Sequence, residues 1–485
     1  MTSVISRKDP MPEDDIDSAD RTLSRKASAD AATATAADAR LAELGYKSEL
    51  SRSMSLADVV IYGLIFMVPM APVSVFGVIF NLSHGMVALV YLVAAFAMFF
   101  SALSYKEMAK TFPVAGSVYS YVRLGTNRFL GFLSGWAILL DYLLLPALLC
   151  IFGASAMAVI LPTVPQWIWV VVFVALAAFI NLRGIRLTAR MNIIFLIIQS
   201  IALALFVGGA LVAIFAGRAH LTLDPLYQPN NFSWPMIFAA IPVAALSYIG
   251  FDAISTLNEE AKGGGKAVSK ATMVVLFLVA AMFLAQTYFA ALFQPAAKPF
   301  TDGDATNNAM YYIAGVVIGP WFRVAFTLVA ALIAIFANTL VSHVTSSKLV
   351  FAMARDGQLP RVLGEVSEKH KVPRNAMIAV AIVTLLIGLA GVGQIEVMTT
   401  LVTFGALTAY ILLHVSVIVH FGVRTRSRGW FIHWVSPVIG IAVLGYALWS
   451  TNIHAKILGI VWIILGCGIA SVLKWKGRSL DTSDV

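Results

Sequence analysis

From about residue 54 to residue 475 the chain is a succession of apolar runs, most of them long enough to cross a membrane as a helix, with short basic gaps between them. A hydrocarbon core of about 30 Å takes about 20 apolar residues in helical form, and inside lipid each backbone N–H and C=O must find its partner within the chain. Twelve runs meet this demand: 56–80, 86–110, 129–161, 166–182, 190–216, 234–257, 270–294, 322–348, 375–393, 396–420, 433–450 and 453–474. The expected class is an all-α integral membrane protein with twelve transmembrane helices. Composition agrees, since 12% of the 485 residues are charged and the mean hydropathy is +0.86, whereas soluble proteins carry about 25% charged residues. A count of soluble domains from length, at about 150 residues each, therefore does not apply.

The stretch 306–320, bounded by Asn307-Asn308 and Gly319-Pro320, is apolar but too short to span and is expected as an external loop helix. Residues 1–52, rich in Ala, Asp, Ser and Thr with charges of both signs, read as a disordered tail, and residues 476–485 as a second tail. No cleavable-looking signal segment precedes the first run, which is expected to remain a spanning helix.

A net charge of +9 would raise nucleic-acid binding as a hypothesis for a soluble protein. Here the basic residues fall in alternate gaps. If both termini share a side, 30 of the 34 Lys and Arg lie on it, and only Arg218, Lys298, Arg323 and Lys456 on the other. The positive-inside rule then places both termini in the cytoplasm, with the lipid bilayer as partner and no nucleic acid. Cys150 and Cys467 each sit inside an apolar run, which argues against a disulfide framework or a thiolate metal site.

Acids in mid-span are functional candidates because a charge in hydrocarbon is costly. Ten of the 25 acids lie in the first tail, and Asp141 in span three and Asp252 in span six are the two well inside helices. For each, pairing with a helix end or a hydroxyl is the structural alternative. Span one reads GLIFMVPMAPVSVFG from Gly63 to Gly77, and its Pro69 and Pro72 remove backbone donors in mid-membrane, so that helix is expected to break. Span six has Pro242, then Ser247, Tyr248, Ile249 and Gly250 just before Phe251 and Asp252. Two broken helices offer unpaired backbone groups and half-helix termini to a polar solute. Their positions, first and sixth, are equivalent in a five-plus-five inverted repeat, the layout of a secondary transporter. There is no P-loop, metal-ligand cluster or nucleophile–base pair, which argues against an ATPase or a membrane enzyme.

On these residues the chain resembles the amino acid–polyamine–organocation permease superfamily over about residues 54–475. FPVAGSVYSY from Phe112 to Tyr121 is similar to that superfamily's stretch between helices two and three, GFDAISTLNEE from Gly250 to Glu260 to its helix-six motif, and ARDGQLP from Ala354 to Pro360 to the one following helix eight. Within it, GWAILLDYLLLP from Gly135 to Pro146, together with Pro69-Met70 and Ser342-His343, resembles bacterial putrescine importers. The resemblance implies a LeuT-like fold with helices one to five over about 56–216, six to ten over about 234–420, and two further helices over about 433–474. It implies a transporter in the plasma membrane, as monomer or homodimer, without cofactor, driven by the proton gradient, with sodium left open.

Some positions depart from the pattern. Amino-acid members usually have Gly-Ser/Ala-Gly where this chain has Met67-Val68-Pro69, so a substrate without a carboxylate, such as a diamine, loses least. The putrescine-importer pattern has an acid in helix one where Ser74 aligns, and the helix-five lysine of cationic members aligns with Gln199. The expected site is therefore Phe66, Met67, Val68, Pro69, Asp141, Tyr142, Ser247, Tyr248, Gly250, Phe251 and Asp252. Asp141 is assigned the substrate ammonium, which competes with a proton for the same carboxylate. Asp252 is either a ligand or a cap for the broken helix. Tyr142, Tyr248 and Phe251 are open to cation–π stacking or to plain helix packing. His343 is either a titrating group or a hydrogen-bonded structural histidine. Glu107, Glu259 and Glu260 are expected to form gate-like ion pairs near Arg123 and Lys348. Three functions follow: import of a small amine such as putrescine, permeation of a neutral or small amino acid, or, remotely, ligand binding without transport.

Overall fold

A computed structural model describes residues 54–112, 118–183, 189–258, 261–296, 298–301, 303–355, 360–365, 367 and 372–475. Among them the secondary structure is helical, apart from one parallel bridge between Met54 and Ala261. Among the described residues nine helical stretches are long and apolar enough to cross a membrane, and three shorter apolar helices, Gln166–Leu182, Trp234–Tyr248 and Arg374–Ala390, accompany them.

The first long stretch opens with α1, Leu56–Met67, whose start is fixed by a capping box in which Ser55 and Asp58 bond each other's backbone N–H. After a 3₁₀ turn at Ala71–Ser74 the chain resumes as α2, Phe76–Leu82. α3, Val87–Thr111, and the short α4, Val118–Gly125, lead into α5, Arg128–Ile160, which Asn127 caps by accepting from Leu130 N at 2.9 Å. α6, Gln166–Leu182, α7, Ala189–Phe215, and α8, Trp234–Tyr248, follow. A 3₁₀ turn at Phe251–Leu257 separates α8 from α9, Gly264–Ala291. The connection after α9 contributes α10, Gly303–Asn307, and α11, Ala309–Val317.

α12, Pro320–Leu328, passes through a π-helical turn at Val329–Ile335 into α13, Phe336–Arg355. The remaining helices are α14, Arg374–Ala390, α15, Ile395–Val417, α16, Ser436–Trp449, and α17, Ile453–Trp475.

Small residues set the close approaches that polar spacing alone would not. A Cβ at Gly405 on α15 would stand 2.5 Å from the Ala137 carbonyl of α5, beside Asp141 N, so these two helices meet backbone to backbone at the level of the buried acid. α3 runs along α9 and α5 along α15, forming the buried interior. α7 and α17 stand at its edge, where Ile201, Val212, Phe215 and Ile464 are exposed, an apolar outer face that water disfavours and lipid accepts. Trp136 of α5 and Trp462 of α17 stack at 4.5 Å, and each indole N–H donates to the other residue's carbonyl at 2.8 Å.

Candidate functional site

The break in the first span follows from its prolines. α1 stops at Met67, Val68 adopts φ 50° and ψ 99°, and Pro69 brings no N–H. A β-branched residue at positive φ is strained by about 1–3 kcal/mol and persists only when its surroundings over-determine it. Part of that hold is Gln286 of α9, whose Nε2 donates to the Pro69 carbonyl at 2.9 Å.

The break in span six is built differently. α8 stops at Tyr248, Ile249 is extended, and Gly250 takes φ +121°. A Cβ at 250 would meet Phe66 Cδ1 at 2.8 Å, so glycine serves both the backbone angle and the contact between the two breaks. Asp252 then turns back, its Oδ1 accepting from Gly250 N at 3.1 Å and from the Tyr410 hydroxyl of α15 at 3.1 Å.

Between the breaks and α5 lies a cavity of about 70 Å³, room for on the order of five waters. Asp141 enters it from the middle of α5, Asp252 from the span-six turn, and Asn338, Ser342 and Thr345 from α13. Ala330 and Ile335 of the π-helical turn complete that wall, in keeping with the tendency of such turns to occur at functional sites. Asp141 is 2% exposed, and among the described residues its Oδ1 has no hydrogen-bond partner. Both carboxylates line this one cavity, and none of the described lining residues is Lys, Arg or His. Two acids without a fixed counter-charge are costly in a low-dielectric interior, and a bound cation or a proton relieves that cost.

Of the residues expected at the site, Phe66, Met67, Val68, Asp141, Tyr142, Ser247, Gly250 and Asp252 line the cavity. Three do not. Pro69 offers its carbonyl to Gln286. Tyr248 points into an aromatic contact with Phe283, centroids 5.0 Å apart, and donates to the Tyr91 carbonyl at 3.1 Å. Phe251 packs against Tyr105 and Tyr410, each at 5.5 Å. For Tyr248 and Phe251 helix packing displaces the cation–π reading, because Gly250 turns the chain between them and leaves both rings among other aromatics.

His343 is fully buried, and among the described residues neither ring nitrogen has a hydrogen-bond partner. Glu107 pairs with Lys110 at 2.9 Å and lies 3.8 Å from His433 Nε2. Glu259, Glu260 and the side chain of Lys348 lie outside the described residues.

Several groups were not anticipated from the sequence. Tyr410 supports Asp252 from 158 residues away and Gln286 supports Pro69 from 217. Asn338 faces both the main cavity and a smaller one of about 20 Å³ beside Gln199. Ser74, where the importer pattern has an acid, does line the cavity.

The family model described as "Amino acid permease" matches residues 54–472. The chain is similar to the low-affinity putrescine importer PlaP of Escherichia coli (strain K12), 31% identical over 428 residues that cover 86% of this chain and 92% of that protein. It is also similar to the branched-chain amino acid permease BcaP of Lactococcus lactis subsp. cremoris, at 24% identity over 78% of this chain and 85% of the other. The methylthioribose transporter of Bacillus subtilis is 23% identical, with 85% and 90% covered.

Proposed function

Because this chain belongs to the amino acid permease family and is a multi-pass membrane transporter rather than an enzyme, we propose that it imports a small linear amine such as putrescine across the plasma membrane. The observation that carries this reading is the pair Asp141 and Asp252 in one cavity with no fixed cation beside them. A diamine brings two ammonium groups to two carboxylates, and it makes no demand on the helix-one break, where Pro69 has no N–H to offer a substrate carboxylate. The similarity to a putrescine importer points the same way.

Import is coupled to protons in this reading. Substrate and proton alternate on the carboxylates, and the cycle moves the breaks of spans one and six against the scaffold of α5, α13 and their neighbours. The chain crosses the membrane twelve times, as two inverted five-helix repeats and two further helices, with both termini in the cytoplasm and residues 1–52 as a cytoplasmic tail. Sodium coupling is the outcome to be tested alongside.

Uptake of radiolabelled putrescine in a polyamine-import-deficient strain tests the assignment. Asp141→Asn is expected to lower uptake about a hundredfold, the effect of losing a charge-assisted bond worth about 3 kcal/mol; wild-type uptake in that variant excludes the role. A second reading, a small neutral amino acid, has one observation in its favour: the apolar share of the lining, with Val68, Leu145, Leu149 and Phe152. Competition by putrescine, its carboxylated relative ornithine, and leucine separates the two.

A further inference from the structure

The seam between α3 and α15 carries polar groups that transport through the cavity leaves without a task. His414 of α15 is fully buried. Its Nδ1 is 2.8 Å from Ser104 Oγ and its Nε2 3.3 Å from Ser101 Oγ, both on α3. Gly440 of α16 faces the ring, and a Cβ there would overlap it, so the imidazole occupies a place made for it by the absence of a side chain. On the cavity side, Tyr410 stands one turn before His414 on the same face of α15 and donates to Asp252 Oδ1, and such neighbours have Cβ atoms about 5–6 Å apart. On the far side, Glu107 comes one turn after Ser104 on α3 and meets Lys110 and His433. Tyr105, whose hydroxyl is buried without a partner, packs on Tyr410 at 5.7 Å.

We propose that His414 carries the coupling proton between Asp252 and the cytoplasmic face along this seam. Hydroxyls donate and accept equally well, and an imidazole between two of them takes up a proton on one nitrogen and gives up the proton on the other. In the inward direction the ring accepts at Nε2, on the Ser101 side, and yields its Nδ1 proton to Ser104 Oγ, whose own hydrogen moves on toward Glu107. The ring is left with its proton on Nε2; a reorientation that exchanges the two nitrogens between Ser101 and Ser104, with both hydroxyls turning back, again presents an N–H to Ser104 and readies the seam for the next proton. Only N–H and O–H bonds form and break, and the protein ends with the protons it began with.

The elements packed against α15 carry Tyr91, Tyr105, Lys106, Glu107 and Lys110 on α3, Tyr119, Tyr121 and Arg123 on α4, Arg128, Asp141, Tyr142 and Cys150 on α5, Tyr248 on α8, Tyr446 on α16, and His454, Lys456, Cys467 and Lys474 on α17; Asp252 follows α8, His433 precedes α16, and Glu396, Tyr410 and His420 belong to the helical stretch of α15 itself. The ring's own hydrogen-bond partners are hydroxyls, so no fixed ion pair pins its charge.

The relay rests on the proton-coupled import proposed above, and the test separates the two. Purified protein in liposomes loaded with a pH dye reports proton entry when putrescine is added outside at equal pH. Counterflow of labelled against unlabelled putrescine, which needs no net proton movement, reports binding and the conformational cycle. His414→Gln keeps an amide able to bond both hydroxyls but has no proton to pass on. It is expected to slow putrescine-driven proton entry at least about tenfold while counterflow stays within about twofold of the unaltered protein. Ser104→Ala, which leaves the ring and removes its outlet, is expected to slow proton entry in the same direction with counterflow intact. Normal proton entry in His414→Gln overturns the relay, and so does a parallel loss of counterflow and proton entry in both variants, the signature of a purely packing role. Counterflow without proton entry in the unaltered protein overturns proton coupling itself, and absence of putrescine counterflow there overturns the substrate assignment; the relay falls with either.

Discussion

The two helix breaks face one cavity but are held by opposite means. At Val68–Pro69 the chain bears a strained residue and a carbonyl without an intrahelical partner, and the remedy comes from outside, from Gln286 on another helix. At Gly250 no strained side chain is needed, because glycine accepts the angle, and the remedy comes from within, from Asp252 two residues on. The difference separates the two buried acids. Asp252 is occupied in holding its own turn and in accepting from Tyr410, whereas Asp141, on an unbroken helix, keeps an oxygen without a partner. In the proposed cycle the self-capped acid belongs to the moving break, and the unsatisfied one stands on the scaffold.

Substitutions can break this contrast in descending order of effect. Gly250→Ala forces a side chain to φ +121° and into Phe66; strain and overlap together are expected to cost about 2–4 kcal/mol, read as a fall in melting temperature and loss of uptake. Gln286→Leu strips the outside support and leaves the Pro69 carbonyl buried and unpaired, a loss of about 1–3 kcal/mol, with thermal stability as the measurement. If instead Gln286→Leu is neutral, the helix-one break is held by packing alone. Tyr410→Phe removes the side-chain hydrogen bond to Asp252 and is expected to cost about 1 kcal/mol, seen as an approximately fivefold weaker apparent affinity with stability little changed.

Length and apolarity made the helices legible in the sequence, and the prolines made the first break legible, because a missing N–H in lipid has few outcomes. Asp141 and Asp252 stood out for the same reason: acids are scarce in spans, and each must have a task. Direction was what the sequence did not reveal. At a break the helical period lapses, and only Gly250's backbone angle decides that Asp252 faces the cavity while Phe251 and Tyr248 turn to other rings. Gln286, Asn338 and Tyr410 were hidden for a different reason. A single polar residue in an apolar helix looks the same whether it serves a neighbour or a substrate, and their partners lie on helices remote in sequence.

The bridge at the start of α1 bears on how the molecule moves. Lys262 N donates to the Met54 carbonyl at 2.8 Å, so the strand entering α1 is stitched by backbone to the strand leaving the span-six turn. Two broken helices could in principle swing as separate levers. With these ends sewn together, a pull on one is passed to the other, and in the proposed cycle the pair would move as a single leaf, with Gly263, at φ +93°, two residues beyond the stitch.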